Sequence, residues 1–369
     1  MLGNCGHQLA RVTARLPAVH LRQYSPQAVR IDRVDTAHSP KLLRVSWGDG
    51  EVANYPYVWL RDFANGKRST ILHELPISVR PERLTILNDG SSLMVQWPPY
   101  VRSEYSAEWL RDHMLAFNEK SSLEAEVVDS LQSWPANGAT IESFALNELS
   151  AWSSSSRLVE AFQRDGAVVL GGVPSSEEAK RAIADFGLST VARGQARLVE
   201  SQANEARALR TGLPSDSPIP KILLLRLASL SQATGAIQLS DGFAVASELR
   251  ARQPAEFSLL TSVPVPYTSE SSSAQVASHN PIQIDSTGNF NKVVFNNERR
   301  STKLPLAAVS RCEQFYKALK AFNSTCYRRA IDVHLKEGDC IVVDNHRILH
   351  GHSAFPSDAG ATIEEQFFD

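Results

Sequence analysis

Alternating apolar and polar side chains predict strands between residues 32 and 115. KLLRVSWGDGEVANYPYVWL alternates on either side of Gly48-Asp49-Gly50, and RLTILNDGSSLMVQW does so around Asn88-Asp89-Gly90. An Asp-Gly turn between two such runs is the sequence pattern of a β-hairpin. SAEWLRDHMLAF then predicts a short helix. We therefore expect a small β-rich domain over 32–115, followed over 116–150 by a polar connector that crosses the surface.

Beyond residue 150, short apolar strands alternate with amphipathic helices. RDGAVVLGGV and IPKILLLRLASL predict buried strands, and AIDVHLKEGDCIVVDN predicts two more around a Gly-Asp turn. Helices are expected in SSEEAKRAIADFG, where Ser175 and Glu178 form a capping box, in AVASELRARQPAEFSLLTSV and in PLAAVSRCEQFYKALKAFNS. The predicted class is mainly β with flanking helices, with residues 151–369 forming a barrel or jelly roll.

The N-terminal 31 residues differ from the rest of the chain. They contain four arginines and no acidic residue, and leucine and valine alternate with arginine as far as Pro17. This pattern predicts a mitochondrial presequence. The alternative is a basic tail on a cytoplasmic protein, and in either case we leave residues 1–31 out of the fold.

The composition argues against several classes of protein. With 38 basic and 40 acidic residues, the chain has no excess of positive charge for binding nucleic acid. Its most apolar run is short and interrupted by Lys221 and Arg226, so we expect no membrane span. The four cysteines have no CxxC spacing and none lies within 32–115, so we expect no zinc site in the small domain.

Three histidines lie close together in VVDNHRILHGHSAF, at His346, His350 and His352. Such density is typical of metal binding or proton transfer. A non-haem iron(II) oxygenase holds its metal with two histidines and one carboxylate on one face. His350, after a predicted buried strand and before a glycine, is the candidate metal ligand, and a hydrogen-bonded buried histidine is the alternative. We interpret His346 and His352 as packing or surface residues.

EGDCIVVDNHRILHG resembles the GD…DN-x-R-x-LHGR signature of the γ-butyrobetaine and trimethyllysine dioxygenases. NYPYVWLRD, LSDGFAVASELRARQPAEFSLLTSVPVPYT and VVFNNERRSTKLP resemble other segments of that family in the same order, so the resemblance covers about residues 40–355 and is closer to the γ-butyrobetaine branch. It implies a double-stranded β-helix (jelly roll) domain that hydroxylates γ-butyrobetaine to carnitine. The implied cofactors are iron(II), 2-oxoglutarate and ascorbate, and the implied partner is a small quaternary ammonium carboxylate, with a homodimer left open.

The resemblance also implies site residues. In this family a His-x-Asp pair ends an early strand, and the second histidine, here His350, comes from a late strand. TGLPSDSPIPK resembles the first metal segment and puts Asp216 in the carboxylate position, with Pro214-Ser215 where a histidine would stand. Since proline cannot bind a metal, only His350 and Asp216 carry over as ligands. Asn296 and Asn297 resemble a paired asparagine motif and are candidate substrate contacts, with an ordinary turn as the alternative.

Other features of the family are missing. No arginine or lysine follows Arg347, although the family binds the far carboxylate of 2-oxoglutarate with an arginine about one strand beyond the late histidine. WLRDFANGKRST and QWPPYVRSEY lack the family's zinc ligands, and Arg197 stands near an expected cage tryptophan, where a cation would repel trimethylammonium. Asp332 and His334 are predicted as a cross-strand hydrogen-bonding pair rather than metal ligands. We therefore expect weak binding of iron(II) and 2-oxoglutarate. The alternatives to an active enzyme are an inactive relative that binds or dimerises, and an incomplete gene model.

Overall fold

The computed structural model describes residues 29–64, 67–68, 71–114, 133–135, 138–149, 152–185, 192–200, 206–213, 219–229, 235–268, 275–355 and 361–368. Its strands are β1 Ile31–Asp35, β2 Leu42–Trp47, β3 Val52–Pro56, β4 Phe63–Ala64, β5 Lys67–Arg68, β6 Arg83–Leu87, β7 Ser92–Trp97, β8 Val101–Ser106, β9 Ser143–Ala145, β10 Ala167–Gly171, β11 Ala192–Glu200, β12 Arg207–Arg210, β13 Ile222–Ser229, β14 Ile237–Asp241, β15 Val265–Thr268, β16 Gln275–His279, β17 Ile282–Ile284, β18 Phe290–Val293, β19 Ile331–Val333, β20 Cys340–Asp344, β21 Ile348–His352 and β22 Thr362–Phe368. Its α-helices are α1 Tyr57–Asp62, α2 Ala107–Asp112, α3 Trp152–Asp165, α4 Ser176–Asp185, α5 Gly242–Arg252, α6 Pro254–Ser262, α7 Leu306–Val309 and α8 Cys312–Arg328.

The N-terminal unit contains two three-stranded antiparallel sheets, β1-β2-β3 and β6-β7-β8. Both predicted hairpins are present, as β2–β3 and β6–β7, and α2 is the predicted short helix. The Tyr55 hydroxyl donates to the Leu110 carbonyl at 2.6 Å, which ties the first sheet to α2. The alternating pattern was therefore sufficient to locate these elements.

The larger unit is built on two sheets, ordered β11-β22-β13-β20-β10-β9 and β12-β21-β14-β19. Successive strands β11 to β14 alternate between the sheets, and β20, β21 and β22 do so again. Two sheets interleaved in this way form a double-stranded β-helix, so the predicted jelly roll is confirmed. Three of the predicted buried strands are β10, β13 and β20, and β20 pairs with both of the others.

Residues 222–225 of β13 and 340–343 of β20 are apolar because both faces of these strands are covered. Alternate side chains form a core between the two sheets: Leu223, Leu225, Ile237, Leu239, Ile341 and Val343. The intervening side chains pack outward with residues of α3 and α4: Leu224, Val342, Phe162 and Ile183. A continuous apolar run is the expected sequence of a strand in such a position.

A third apolar core joins α5, α6 and α8 to the N-terminal unit. Beside it, the buried carboxylate of Asp62 accepts hydrogen bonds from Arg300 at 2.5 Å and from the Tyr316 hydroxyl at 2.9 Å. With this helical layer, the described part of the chain is mixed α/β rather than mainly β as predicted. The helices α5, α6 and α8 contribute buried side chains to this core. None of the described helices is long and apolar enough to cross a membrane.

Part of the predicted connector is packed into the larger unit. β9 pairs in parallel with β10, and Trp134 is buried, its indole N–H donating to the Asp165 carbonyl at 2.7 Å. The backbone N–H of Trp134 donates to Asp241 at 2.9 Å. Within 133–149, Trp134, Phe144 and Leu149 are thus buried, whereas the other described residues of this segment are partly or fully exposed.

Candidate functional site

His350 lies on β21 in the interior of the jelly roll. Its neighbours across the sheet are Arg210 on β12 and Leu239 on β14, and it is 2% exposed. Neither ring nitrogen of His350 has a hydrogen-bond partner among the described residues. Burial, together with the positive charges of Arg210 and Arg207, holds the pKa of His350 well below its ordinary value. The imidazole is therefore neutral and has unsatisfied hydrogen-bonding capacity.

Three residues around His350 explain the DN-x-R-x-LHG pattern. Asn345 accepts from the Gly212 N–H at 2.8 Å and donates to the Gly212 carbonyl at 2.9 Å. Arg347 donates to the Asp241 carboxylate at 2.8 Å. A Cβ at position 351 would lie 2.5 Å from the Arg207 carbonyl oxygen, so only glycine allows β12 to approach β21 this closely. The motif thus fixes the backbone on both sides of His350.

An ion pair lies beside His350. Arg210, with a side chain 7% exposed, donates to the carboxylate of Glu365 on β22 at 2.8 Å, and Arg207 approaches the same oxygen at 3.4 Å. His350, His352 and these three residues line one small cavity. Only about 10 Å³ of the cavity is open to the centre of a water-sized molecule, roughly enough for one water. The described side chains around His350 therefore leave little open space in this cavity.

The two residues that follow β12 are also held by hydrogen bonds within the protein. Beyond Arg210, the Thr211 hydroxyl donates to the Val293 carbonyl at 3.1 Å, and Gly212 is held by Asn345. A Cβ at Gly212 would lie 2.6 Å from Cε1 of Phe367. Position 212 therefore has no space for a larger side chain unless Phe367 moves.

The described residues do not fit an iron site with three protein ligands. His350 supplies one buried imidazole, but the residue opposite it is a cation. The described part of the chain has no group of three histidine, cysteine, aspartate or glutamate residues that could hold a metal ion. Asp216 lies outside the described residues, so its role as a ligand stays a prediction.

Asn296 and Asn297, predicted as substrate contacts, are engaged within the protein. Asn296 accepts from the Arg299 N–H at 3.1 Å and is 3.4 Å from the Thr211 carbonyl. Asn297 accepts from Nε of Arg300 at 3.2 Å. Asn296 lies next to the end of β12. Asn297 contacts Arg300, which pairs with Asp62 of the N-terminal unit. Their roles toward a substrate stay predictions.

The other histidines singled out from the sequence have protein partners. His346 contacts the Ile219 carbonyl through Nε2 at 2.9 Å, and burial lowers its pKa. His352 contacts the Ser353 carbonyl through Nδ1 at 2.9 Å. Asp332 accepts from the Gln238 side chain at 3.0 Å across β14 and β19, so it forms a cross-strand hydrogen bond, although not with His334. The side chain of Arg197 lies outside the described residues.

The interpretation of the sequence missed Arg207, Arg210 and Glu365. These charged residues lie within RALR and TIEEQFF, two short segments in which no strand was predicted. A buried charge is retained only when it is paired.

The position of His350 and the order of the sheets define a jelly-roll protein of the oxygenase type. The family described as taurine catabolism dioxygenase TauD, TfdA family matches residues 129–364, and the chain belongs to this family. Members of this family use iron(II) and 2-oxoglutarate.

Similar proteins include two γ-butyrobetaine dioxygenases. That of Pongo abelii is 25% identical over 363 residues, covering 91% of this chain and 92% of the relative. That of Pseudomonas sp. strain AK-1 is 26% identical over 348 residues, covering 86% and 87%. Among solved structures, an asparagine oxygenase complex aligns with a TM-score of 0.47 and 15% identity, covering 58% of this chain and 79% of the other. A taurine dioxygenase from Burkholderia xenovorans aligns with a TM-score of 0.46 and 15% identity, covering 63% and 88%.

Proposed function

We propose that this chain does not carry out iron- and 2-oxoglutarate-dependent hydroxylation and acts instead as a binding or dimerising member of its family. The observation that supports this is the position of Arg210. It ends the strand next to β21, directly opposite His350, and is followed two residues later by Gly212. An early strand of this family is expected to end in His-x-Asp. The resemblance puts Pro214-Ser215-Asp216 at that place, outside the described residues, and Arg210 is the last residue of the described strand β12.

The electrostatics of the interior support the same conclusion. A divalent metal beside His350 would be repelled by the Arg210 guanidinium, whose charge already lowers the pKa of that histidine. On β22, one strand beyond His350, the residue that faces the interior is Glu365 rather than an arginine. A carboxylate there would repel 2-oxoglutarate instead of pairing with it. Glu365 thus opposes 2-oxoglutarate at this position, and the net positive charge of Arg207, Arg210 and Glu365 disfavours a divalent metal beside His350.

Hydroxylation of γ-butyrobetaine to carnitine remains the competing function. It is favoured by the similarity to γ-butyrobetaine dioxygenases along nearly the whole chain. At about one residue in four, this identity supports membership of the family more strongly than a particular substrate. The charges around His350 oppose this reaction for the chain as written.

The test is release of succinate from 2-oxoglutarate by the full chain with iron(II) and ascorbate, with and without γ-butyrobetaine. We expect background release that is unchanged by His350→Ala. Substrate-stimulated release that His350→Ala abolishes would refute the proposal and establish the hydroxylase. An active γ-butyrobetaine dioxygenase assayed in parallel controls for the quality of the reagents.

We also propose a mitochondrial location and leave a homodimer open. The location rests on the arginine-rich, acid-free composition of residues 1–31, of which 1–28 lie outside the described residues. Import of a reporter fused to residues 1–31, lost when its arginines are replaced by glutamine, would support a presequence. Sedimentation of the purified chain at several concentrations would decide its oligomeric state.

A further inference from the structure

The ion pair between Arg210 and Glu365 connects the two sheets of the jelly roll. Arg210 lies on β12 in the four-stranded sheet, and Glu365 lies on β22 in the six-stranded sheet. The residues are 155 positions apart in sequence, their side chains are 7% and 11% exposed, and the charged atoms are 2.8 Å apart. A buried contact of this kind is stable only while both charges are present.

Two groups in the same cavity would suit a metal cation. His350 offers a neutral imidazole with no partner among the described residues, and Glu365 offers a carboxylate. Imidazole and carboxylate are common ligands of iron, cobalt and zinc. The positively charged guanidinium of Arg210 lies beside these two groups.

We propose that the Arg210 guanidinium is a built-in cation that occupies the position of a metal in a cavity that still holds two metal-binding groups, Glu365 and His350. This inference rests on the proposed function, because a chain that binds iron(II) through His350 would have no place for such a cation. It goes further because it attributes the loss of metal binding to one side chain, that of Arg210. It implies that replacing Arg210 with histidine creates a site with two imidazoles and one carboxylate.

The geometry of β12 and β21 supports this prediction. Positions 210 and 350 are directly opposed on neighbouring antiparallel strands, where Cβ atoms are about 4.5–5.5 Å apart. Two imidazoles at such positions can reach a common ion. Arg210→His also removes the positive charge and reduces the side-chain volume, which enlarges a cavity that now has room for about one water.

A neighbouring ion pair provides a matched control. Arg226 on β13 donates to Glu364 on β22 at 3.1 Å, with side chains 9% and 13% exposed. The burial and chemistry resemble those of the interior pair, but Arg226 also donates to the Val173 and Pro174 carbonyls, on the other side of the sheet. His350 does not line that region among the described residues. Arg226→His should therefore bind no metal.

The experiment is titration of the full chain with Co(II), followed by visible absorption and calorimetry. We expect no binding by wild type or Arg226→His, and one equivalent bound by Arg210→His. Adding His350→Ala or Glu365→Gln to Arg210→His should weaken binding by at least about tenfold. Arg210→His that folds but binds no Co(II), or binds it equally well without His350, would overturn the proposal. Wild-type binding that requires His350 would overturn it as well.

A second measurement tests the built-in cation if Arg210→His does not fold. Arg210→Met leaves Glu365 with Arg207 alone and should lower the melting temperature by about 5–10 °C. Adding Glu365→Gln removes the unpaired carboxylate and should recover at least half of this loss. Additive losses in the double variant would overturn the proposal. The proposed function is tested separately, since succinate release by wild type decides it whatever these variants do.

Discussion

Replacing Asp241 with alanine should destabilise the protein more than almost any other single change near the site. One oxygen of Asp241 accepts from the N–H groups of Phe243 at 2.9 Å and Ala244 at 3.2 Å, and so caps α5. The other accepts from Arg347 at 2.8 Å and from the Trp134 N–H at 2.9 Å. Asp241 is 1% exposed, so water cannot replace these partners.

The magnitude follows from what each lost contact leaves behind. Loss of an N-cap costs about 0.5–2 kcal/mol. Removal of one partner from a buried ion pair costs about 3–5 kcal/mol, because the Arg347 charge is left unpaired. These effects overlap at one side chain, so we expect a total loss of about 4–6 kcal/mol for Asp241→Ala. A loss of this size approaches the total stability of an ordinary domain, about 5–15 kcal/mol.

The assay is urea unfolding of the full chain at pH 7.5, followed by circular dichroism. Asp241→Asn should lose less than Asp241→Ala, since its side-chain oxygen can still cap α5. Asp49→Ala is the control: Asp49 also accepts from a backbone N–H and from an arginine, but its side chain is 47% exposed, so a loss below about 1 kcal/mol is expected. A loss below about 1 kcal/mol for Asp241→Ala would refute the reasoning.

Three further predictions concern packing, pH and reactivity. Gly212→Ala should cost about 1–3 kcal/mol in urea unfolding, because its Cβ would meet the Phe367 ring at 2.6 Å, and Phe367→Ala in the same chain should recover part of this loss. Burial lowers the pKa of His113, so protonation of His113 favours the unfolded state. The stability that neutral His113 contributes should be complete above pH 6.5 and lost as the pH falls below that value. The free energy of unfolding should therefore fall less steeply with decreasing pH in His113→Gln, and equal slopes in the two proteins would contradict this. Burial raises the pKa of Cys340 to about 12. In a Cys5→Ser chain, a thiol reagent should therefore label Cys340 only after denaturation. Rapid labelling of Cys340 in the native chain would show that the thiol is accessible.

The sequence by itself determined the local elements and much of the layering. The hairpins at Gly48-Asp49-Gly50 and Asn88-Asp89-Gly90 follow from alternation around a turn, which is a property of neighbouring residues. The runs that became β13 and β20 are mostly apolar because both faces are covered, so their burial was predictable. The position of His350 after a buried strand was also predictable, because its motif is contiguous.

Only the tertiary structure decided what lies around His350. Arg210 and Glu365 reach the site from β12 and β22 and meet across 155 residues of chain, and Asn345 holds Gly212 from the turn after β20. Which residues face each other depends on strand order and register, and a shift of one residue would turn every side chain to the other face. The pairing of β12 with β21 puts Arg210 opposite His350, a neighbour that the contiguous motif around His350 does not reveal. Local pattern carries no information about such a pairing, because the free energy that fixes it comes from contacts between strands distant in sequence.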